Sequence, residues 1–466
     1  MRRQIPQFEI DIDSLGQKGV GIGTNDEGRV VHVRGGPPGS RVIAQVFDRK
    51  KGTWFARRVG LVRPPSPAAT PKCVVFGACG GCQLQEMPLE SQRAAKVAWA
   101  ANAVAAGRPT PTPHPVRGAP SDYGYRNRLE LTFGNRRWLV DADMAAGLPM
   151  LGNFLGFHAP TRFDRIVDVE RCEIASERVN LLLAAVRRVA LAPDAPPAWD
   201  TRAHKGFWRF LGLREGTATN ELMVILYTSS DGPEEAVEAV ANELLAVDLG
   251  DAKLVGVVWK ADDGHADVAR GEVRRVWGRP WFYECLGDTT FRLSPESFFQ
   301  TSTKGAEVLV ETIGEALGRG GTLVDLYCGT GTIGLSLASR YSRVVGVEEV
   351  EAAVVDARAN AADNSVNATF IVSRVEDVLA SITEVEGPRR LCVDPPRAGL
   401  HPRVAKALAE AHAERLVYVA CNPESLGRDR VVLEAGGWRM TDLWVVDLFP
   451  QTGHVEVVAR FDKDQT

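Results

Sequence analysis

The segment Arg415-Leu-Val-Tyr-Val-Ala-Cys421-Asn-Pro is a run of apolar strand formers that ends in a thiol. Upstream, Leu391-Cys-Val-Asp394-Pro-Pro-Arg ends in a carboxylate, and Val324-Asp-Leu-Tyr-Cys-Gly329-Thr-Gly331-Thr-Ile-Gly334 ends in a glycine loop. Three strand ends bearing a glycine loop, an acid and a thiol are expected to converge on one rim of an open α/β sheet, where such sheets bind ligands. A nucleophilic cysteine beside a nucleotide-type pocket belongs to few reactions. One is addition to a ring carbon, which activates the neighbouring carbon and then requires a base to remove its proton. The last predicted strand, His454-Val-Glu456-Val-Val-Ala, offers Glu456 as that base.

The loop itself is ambiguous. Gly329-x-Gly331-x-x-Gly334 follows a strand and opens a helix, and Glu348 ends the next strand 19 residues after Gly329, placed to bind a ribose diol. Both features fit a dinucleotide, and both fit S-adenosylmethionine, which has the diol without the pyrophosphate. Asp325 favours the second, because an acid four residues before the first glycine repels a pyrophosphate and suits a cationic methionine end. The plainer alternative is a glycine turn that serves only packing. Prolines after Asp394 fix φ and stiffen its loop over the pocket. A similar turn serves amine methylation, which needs no thiol. Carbon methylation of a pyrimidine does need one, since C5 of uracil is a weak nucleophile until a thiolate adds at C6.

The elements that must carry these residues alternate over the last ~170 positions. An amphipathic helix with Leu309, Ile313 and Leu317 precedes strand 323–328. Strand 344–348, helix 350–362, strands 369–373 and 390–394, helix 402–413, strand 415–420 and helix 427–436 follow, closed by strands 442–449 and 454–461. This pattern predicts a doubly wound, mostly parallel sheet with an antiparallel edge. Residues 8–62 read instead as five short strands cut by glycine turns, a small OB-like β-barrel of a kind that grips single-stranded nucleic acid. A proline-rich linker, 64–71, ends it. Between the two lies an α+β region with a helix from about Leu89 to Ala106, in which Leu89, Val97, Ala101 and Val104 share a face, and another from Pro233 to about Val247.

A chain of 466 residues with 45% hydrophobic and 24% charged content is expected to form several soluble domains. Neither a signal peptide nor a membrane span is legible, so a cytoplasmic location is expected. The net charge of −4 conceals a basic N-terminal stretch: residues 1–62 carry eleven Lys or Arg against six Asp or Glu, with Arg49-Lys50-Lys51 and Arg57-Arg58 bunched. Such a stretch fits sequence-independent phosphate contact and equally an ordinary solvated face. Eight cysteines in a cytoplasmic chain are unsuited to disulfides. Cys73, Cys79 and Cys82 cluster as C-x5-C-x2-C; that trio plus one distant cysteine favours iron–sulfur, with zinc as the alternative. Cys285, Cys328 and Cys392 read as small buried hydrophobes.

Taken together, these residues resemble the RNA (uracil-C5)-methyltransferases, which form 5-methyluridine. Ser297-Phe-Phe-Gln300, the Asp325–Gly334 loop, Asp394-Pro-Pro-Arg-Ala-Gly, Cys421-Asn-Pro-Glu-Ser-Leu-Gly-Arg-Asp and Phe449-Pro-Gln-Thr-Gly-His-Val-Glu456 fall in the family's order, and the likeness covers nearly the whole chain. The resemblance implies Cys421 as nucleophile and Glu456 as proton-abstracting base. It implies a pocket for S-adenosylmethionine and uracil lined by Gln300, Tyr327, Glu348 and Asp394, with Gly329 letting the backbone approach the cofactor. It also implies three domains. These are a TRAM RNA-binding barrel over 1–62, a central α+β domain over 63–295 holding a [4Fe–4S] cluster on Cys73, Cys79, Cys82 and Cys172, and a Rossmann-like methyltransferase domain over 296–466. The expected partner is RNA, with 23S ribosomal RNA ahead of tRNA, bound by a monomer with no membrane association. Thr301-Ser302, Ser425 and Thr332 depart from the family's usual residues without removing a group the chemistry needs. Two other readings remain: a non-catalytic RNA-binding or chaperone protein on the same fold, and a nicotinamide oxidoreductase, which Asp325 and the Asp-Pro-Pro-Arg turn disfavour.

Overall fold

In the computed structural model, which describes residues 6–160, 162–383 and 388–463, the chain builds three large sheets. The N-terminal one has six strands, the five expected and a two-residue strand, Ser14–Leu15. Its hydrogen-bonded order starts with Gln7–Asp11 and ends with Ser14–Leu15. Those two strands are almost continuous in the chain, so the sheet must curl until its outer strands meet. Alternation puts Ile10, Ile12, Val31, Val33, Val42, Ala44 and Val46 on the inside.

The central sheet has seven strands, with Arg128–Arg136 and Trp208–Gly216 side by side at its middle. Helices Glu177–Ala190 and Glu234–Leu245 pack on one face. The first was not legible as a distinct element, although Ser176 caps it by accepting from the Val179 amide at 3.2 Å.

The last sheet positions the chemistry. We number its strands β1 (Thr322–Leu326), β2 (Arg343–Glu348), β3 (Ala368–Val372), β4 (Arg389–Val393), β5 (Arg415–Ala420), β6 (Trp438–Asp447) and β7 (Glu456–Lys463). Their order is β3-β2-β1-β4-β5-β7-β6, parallel except for β7, a Rossmann-like sheet with an antiparallel hairpin. An eighth strand comes from upstream: Arg117–Gly118 adds an edge beside β6. Helix Leu89–Ala105 also packs here, with Trp99 and Val104 in one apolar cluster with Leu416, Tyr418 and Val457. Its most buried face differs from the expected one. It carries Gln92 and Lys96, because both reach polar groups of the segment that joins β6 to β7.

One boundary correction bears on function. The helix expected at 427–436 spans Pro423–Ala435, since Asn422 caps it, accepting from the Glu424 amide at 3.3 Å, and Pro423 suits the first turn. Cys421 therefore sits immediately before a helix N-terminus. Among the described residues no helix is long and apolar enough to cross a membrane.

Candidate active site

The ends of β1, β2, β4, β5 and β7 form a single rim. In antiparallel β5–β7, Val419 pairs with Val458 and Ala420 with Val457. Cys421 and Glu456 are the next residues beyond that last pair, and the Glu456 charge acts on the Cys421 thiol. Side chains alternate along strands, so Asp325 shares a face with Leu323, Asp394 with Cys392, Cys421 with Val419, and Glu456 with Val458. Leu323, Cys392, Val419 and Val458 all belong to one apolar cluster, so the four functional groups project from the same side of the sheet.

Electrostatics reports the same convergence. The Cys421 thiol is pushed up to about 12, by burial first and then by Glu456 and Asp394, with Arg397 opposing. Burial and then Asp394 raise Glu456 well above the usual carboxylate range. Burial lifts Asp394 to about 7, and burial with Asp394 and Glu348 nearby lifts Asp325 to about 7. The rim is thus an acidic pocket with one nearby guanidinium. Placement of Cys421 at a helix N-terminus favours its thiolate and works against the burial penalty.

The glycine loop is held by the acids it was expected to present. Glu348 accepts from the Gly329 amide at 3.1 Å and from the Val350 amide at 2.9 Å. Asp325 Oδ2 accepts from the Gly334 amide at 2.9 Å, while its buried Oδ1 has no hydrogen-bond partner. At Gly329, φ is +54° and an added Cβ would meet nothing within 4 Å, so the backbone there faces open space. Tyr327 is in the left-handed region, with φ +62°, a conformation costly for a bulky residue and one that clusters at functional sites. Beside it opens a cavity of about 800 Å³, lined by Tyr327, Ser373, Val375, Pro396 and Leu400 among others.

Gln300 is placed less directly. Its carbonyl accepts from Asn127 Nδ2 at 3.0 Å, and the Asn127 amide donates to Thr301 O at 3.0 Å. Asp356 pins the preceding loop through Ser297 Oγ at 2.5 Å and Ser294 Oγ at 2.8 Å. His454 lies outside β7, in the turn before it, rather than on the strand with Glu456. Burial and then Arg397, Arg126, Lys96 and Lys18 push its imidazole down to about 4, so it is neutral near pH 7.

Cys73, Cys79, Cys82 and Cys172 share a neighbourhood. Burial first, then Cys172 and Cys73, raises Cys79 to about 11; burial first, then Cys79, Cys172 and Cys73, raises Cys82 to about 12. The Gly81 amide donates to Cys79 Sγ at 3.4 Å, and Asn180 holds the Cys172 backbone at 2.9 and 3.1 Å. Among the described residues these thiols are not drawn into a closed metal-holding group. Arg126 has no role in the sequence reading, yet its charge acts on Cys79 and Cys172 on one side and on His454 on the other.

Relatives decide the family. Residues 284–463 match the model of the tRNA (uracil-5-)-methyltransferase family. An RNA methyltransferase of Chlorobaculum tepidum is 35% identical, covering 98% of this chain and 96% of its own. The chain belongs to the RNA (uracil-5-)-methyltransferase family. A second RNA methyltransferase, from Clostridium acetobutylicum, is 34% identical over 98% of this chain and 97% of its own. Among solved structures, the Pyrococcus abyssi tRNA (uracil-54, C5)-methyltransferase, in complex with S-adenosyl-L-homocysteine, is 28% identical. It superposes with a TM-score of 0.76 over 97% of this chain and 100% of its own.

Proposed function

We propose that this enzyme methylates C5 of a specific uridine in RNA through a covalent Cys421–C6 adduct. The observation that supports the reading is that Cys421 and Glu456 follow the last pair of neighbouring strands, Ala420 with Val457, while the Asp394 charge acts on both. Cys421 loses its proton to solvent, a step favoured by its place at a helix N-terminus, and adds as thiolate to C6, and the displaced electron pair makes C5 nucleophilic. S-adenosylmethionine supplies the electrophilic methyl, on a sulfonium that becomes a neutral thioether. Glu456 then takes the C5 proton, the C5–C6 double bond re-forms, and the Cys421 thiolate leaves.

The residues fit the cofactor. The unpartnered Asp325 Oδ1, the carboxylates of Glu348 and Asp394 and the open backbone at Gly329 make a cradle for a cationic nucleoside. Four neighbouring thiols, which burial alone would keep protonated, suit a cluster whose iron neutralises the thiolates. Cys73, Cys79, Cys82 and Cys172 would hold a [4Fe–4S] cluster in a structural role. The N-terminal sheet serves as a TRAM-type RNA-binding barrel. Ribosomal RNA is the substrate we favour, on the pattern of the cluster-bearing branch, while the solved relative acts on tRNA. Mapping 5-methyluridine in both RNA pools of a deletion strain decides between them.

RNA with 5-fluorouridine at the target tests the chemistry, because fluorine cannot leave as a cation. A denaturant-stable complex should form only with S-adenosylmethionine present. Glu456→Gln should accumulate an adduct on natural RNA, and Cys421→Ala should form none while still binding cofactor. Methylation by Cys421→Ala would sink the assignment.

A further inference from the structure

The turn of the N-terminal sheet at 16–19 is not a free RNA-facing tip. Leu15 is buried in the same apolar cluster as Leu84, Trp99 of helix Leu89–Ala105, Ala420 at the end of β5 and Val455 just before β7. Gln17 Nε2 donates to Oδ1 of Asn422, the neighbour of Cys421, at 3.2 Å. Gly19 meets Gly453 backbone to backbone, so closely that a Cβ on Gly453 would lie 2.2 Å from Gly19 Cα. Between those anchors Lys18 is held at φ +60°, a conformation that side chains disfavour, and its side chain is exposed. No ion pair of Lys18 is seen among the described residues, whereas Arg58, from the basic stretch of the same sheet, is spent on Glu86. The Lys18 charge reaches His454, which directly precedes the strand that bears Glu456.

A polyanion must therefore deliver a base into a pocket walled by Asp325, Asp394 and Glu456, and the entrance needs cations to offset that wall. We propose that Lys18, carried by the N-terminal sheet, is a positioning residue at the mouth of the active site, gripping the backbone phosphate of the nucleotide whose uracil reaches Cys421. Its role rests on the uracil-C5 reading above. The N-terminal sheet then contributes to turnover as well as to affinity.

The test compares Lys18→Ala, Lys18→Gly and Lys18→Arg with Arg57→Ala, an exposed arginine of the same sheet bonded only to Gln45 at 2.8 and 3.0 Å. Lys18→Gly removes the amine and suits φ +60°, so it keeps the turn if the alanine variant misfolds. Methyl transfer and adduct formation on 5-fluorouridine RNA are followed at saturating RNA. Loss of a charge-assisted phosphate contact should lower kcat about tenfold or more in the alanine and glycine variants, with Lys18→Arg recovering most of it. Arg57→Ala should raise KM and leave kcat unchanged. Wild-type kcat in Lys18→Gly, or equal behaviour of Lys18→Gly and Arg57→Ala, would overturn the proposal. Failure of the wild-type enzyme to form any adduct would instead refute the covalent reading on which it rests.

Discussion

Four groups on the rim have been made unwilling to ionise by burial, and that reluctance predicts how the site responds to pH. Burial raises Asp394 to about 7, burial and then its carboxylate neighbours raise Asp325 to about 7, and burial and then Asp394 raise Glu456 well above the usual carboxylate range. A bound cation reverses the balance by favouring the charged forms. S-adenosylmethionine should bind more tightly as pH rises through about 7, releasing protons as it does so; S-adenosylhomocysteine, without the sulfonium, should show a weaker dependence. Calorimetry in two buffers of different ionisation enthalpy reads the proton count, and a pH-independent affinity would contradict it. Asp325→Asn, which keeps an acceptor for the Gly334 amide, should flatten the profile for S-adenosylmethionine more than for its product. The sign for the free protein is opposite. Carboxyls raised above their unfolded values contribute stability that is present below about pH 4 and lost as pH rises through about 7. At this scale Cys421, Asp394 and the glycines are legible in the sequence, because each follows an apolar run that must end on the rim. Asp325 also supports the loop through Gly334, which a linear motif cannot show. Arg397 and Arg126 were passed over because their influence is spatial: one comes from the Asp-Pro-Pro-Arg loop, the other from isolated bridges to Ala175 and Ser302 just ahead of the central strand Arg128–Arg136.

Alternation of apolar runs and helical faces makes the order of β1 to β7 legible, but periodicity identifies a buried face without its partner. Helix Leu89–Ala105 is the clearest case. It lies far upstream, yet it holds the segment that leads into Glu456. Gln92 Nε2 donates to Gln451 Oε1 at 2.9 Å, the Gln451 amide donates to Gln92 Oε1 at 2.8 Å, and Lys96 Nζ bonds Asp447 Oδ1 at 2.5 Å and Phe449 O at 3.0 Å. Two buried polar residues on a helix read as errors of pattern until their partners are known. Lys96 is fully buried with Asp447, and burial pushes its amine downward. Removing one partner of such a pair strands the other charge. Lys96→Met should therefore destabilise the protein by about 3–5 kcal/mol in denaturant unfolding, and Lys96→Met with Asp447→Leu should recover much of that loss. Gln92→Ala should act differently. Freed of its clamp, Gln451, which sits at φ +71°, loses the contacts that fix the approach to Glu456, so the rate of adduct resolution should fall more than cofactor affinity.

At the scale of the whole molecule, three sheets are legible from the change in pattern along the chain, whereas their mutual attachment is not. The N-terminal turn inserts beside Gly453, and Asn127 and Tyr125 reach from the central region to Thr301 and Pro450. The N-terminal sheet and the central region thus both contact segments next to the catalytic rim, through partners that no local pattern identifies. Charge shows the same limit: the basic stretch of 1–62 includes Arg58, which is paired with Glu86, and Lys50, which is paired with Asp48. The four cysteines give the last test, because they join two distant segments of the central region. Cys73, Cys79 and Cys82 lie in one loop, while Cys172 is fixed from the other side by Asn180. Cys79 and Cys82 are half-buried and raised to about 11 and 12, by burial first, so they stay protonated unless a metal group bonds them as thiolates. Protein purified without oxygen should be brown and contain iron and acid-labile sulfide. Cys172→Ser should lose the metal and the colour, lower the thermal midpoint and loosen Arg126, whose charge acts on both Cys172 and His454, and so slow methyl transfer. Cys285→Ser should keep both metal and activity, because the Cys285 thiol pairs with Thr290 Oγ1, at 3.5 Å, on the paired strand of a separate ribbon. A colourless protein with one equivalent of zinc would assign the same four thiolates to a structural zinc site, and a metal-free protein with unchanged stability in Cys172→Ser would remove the metal from the fold altogether.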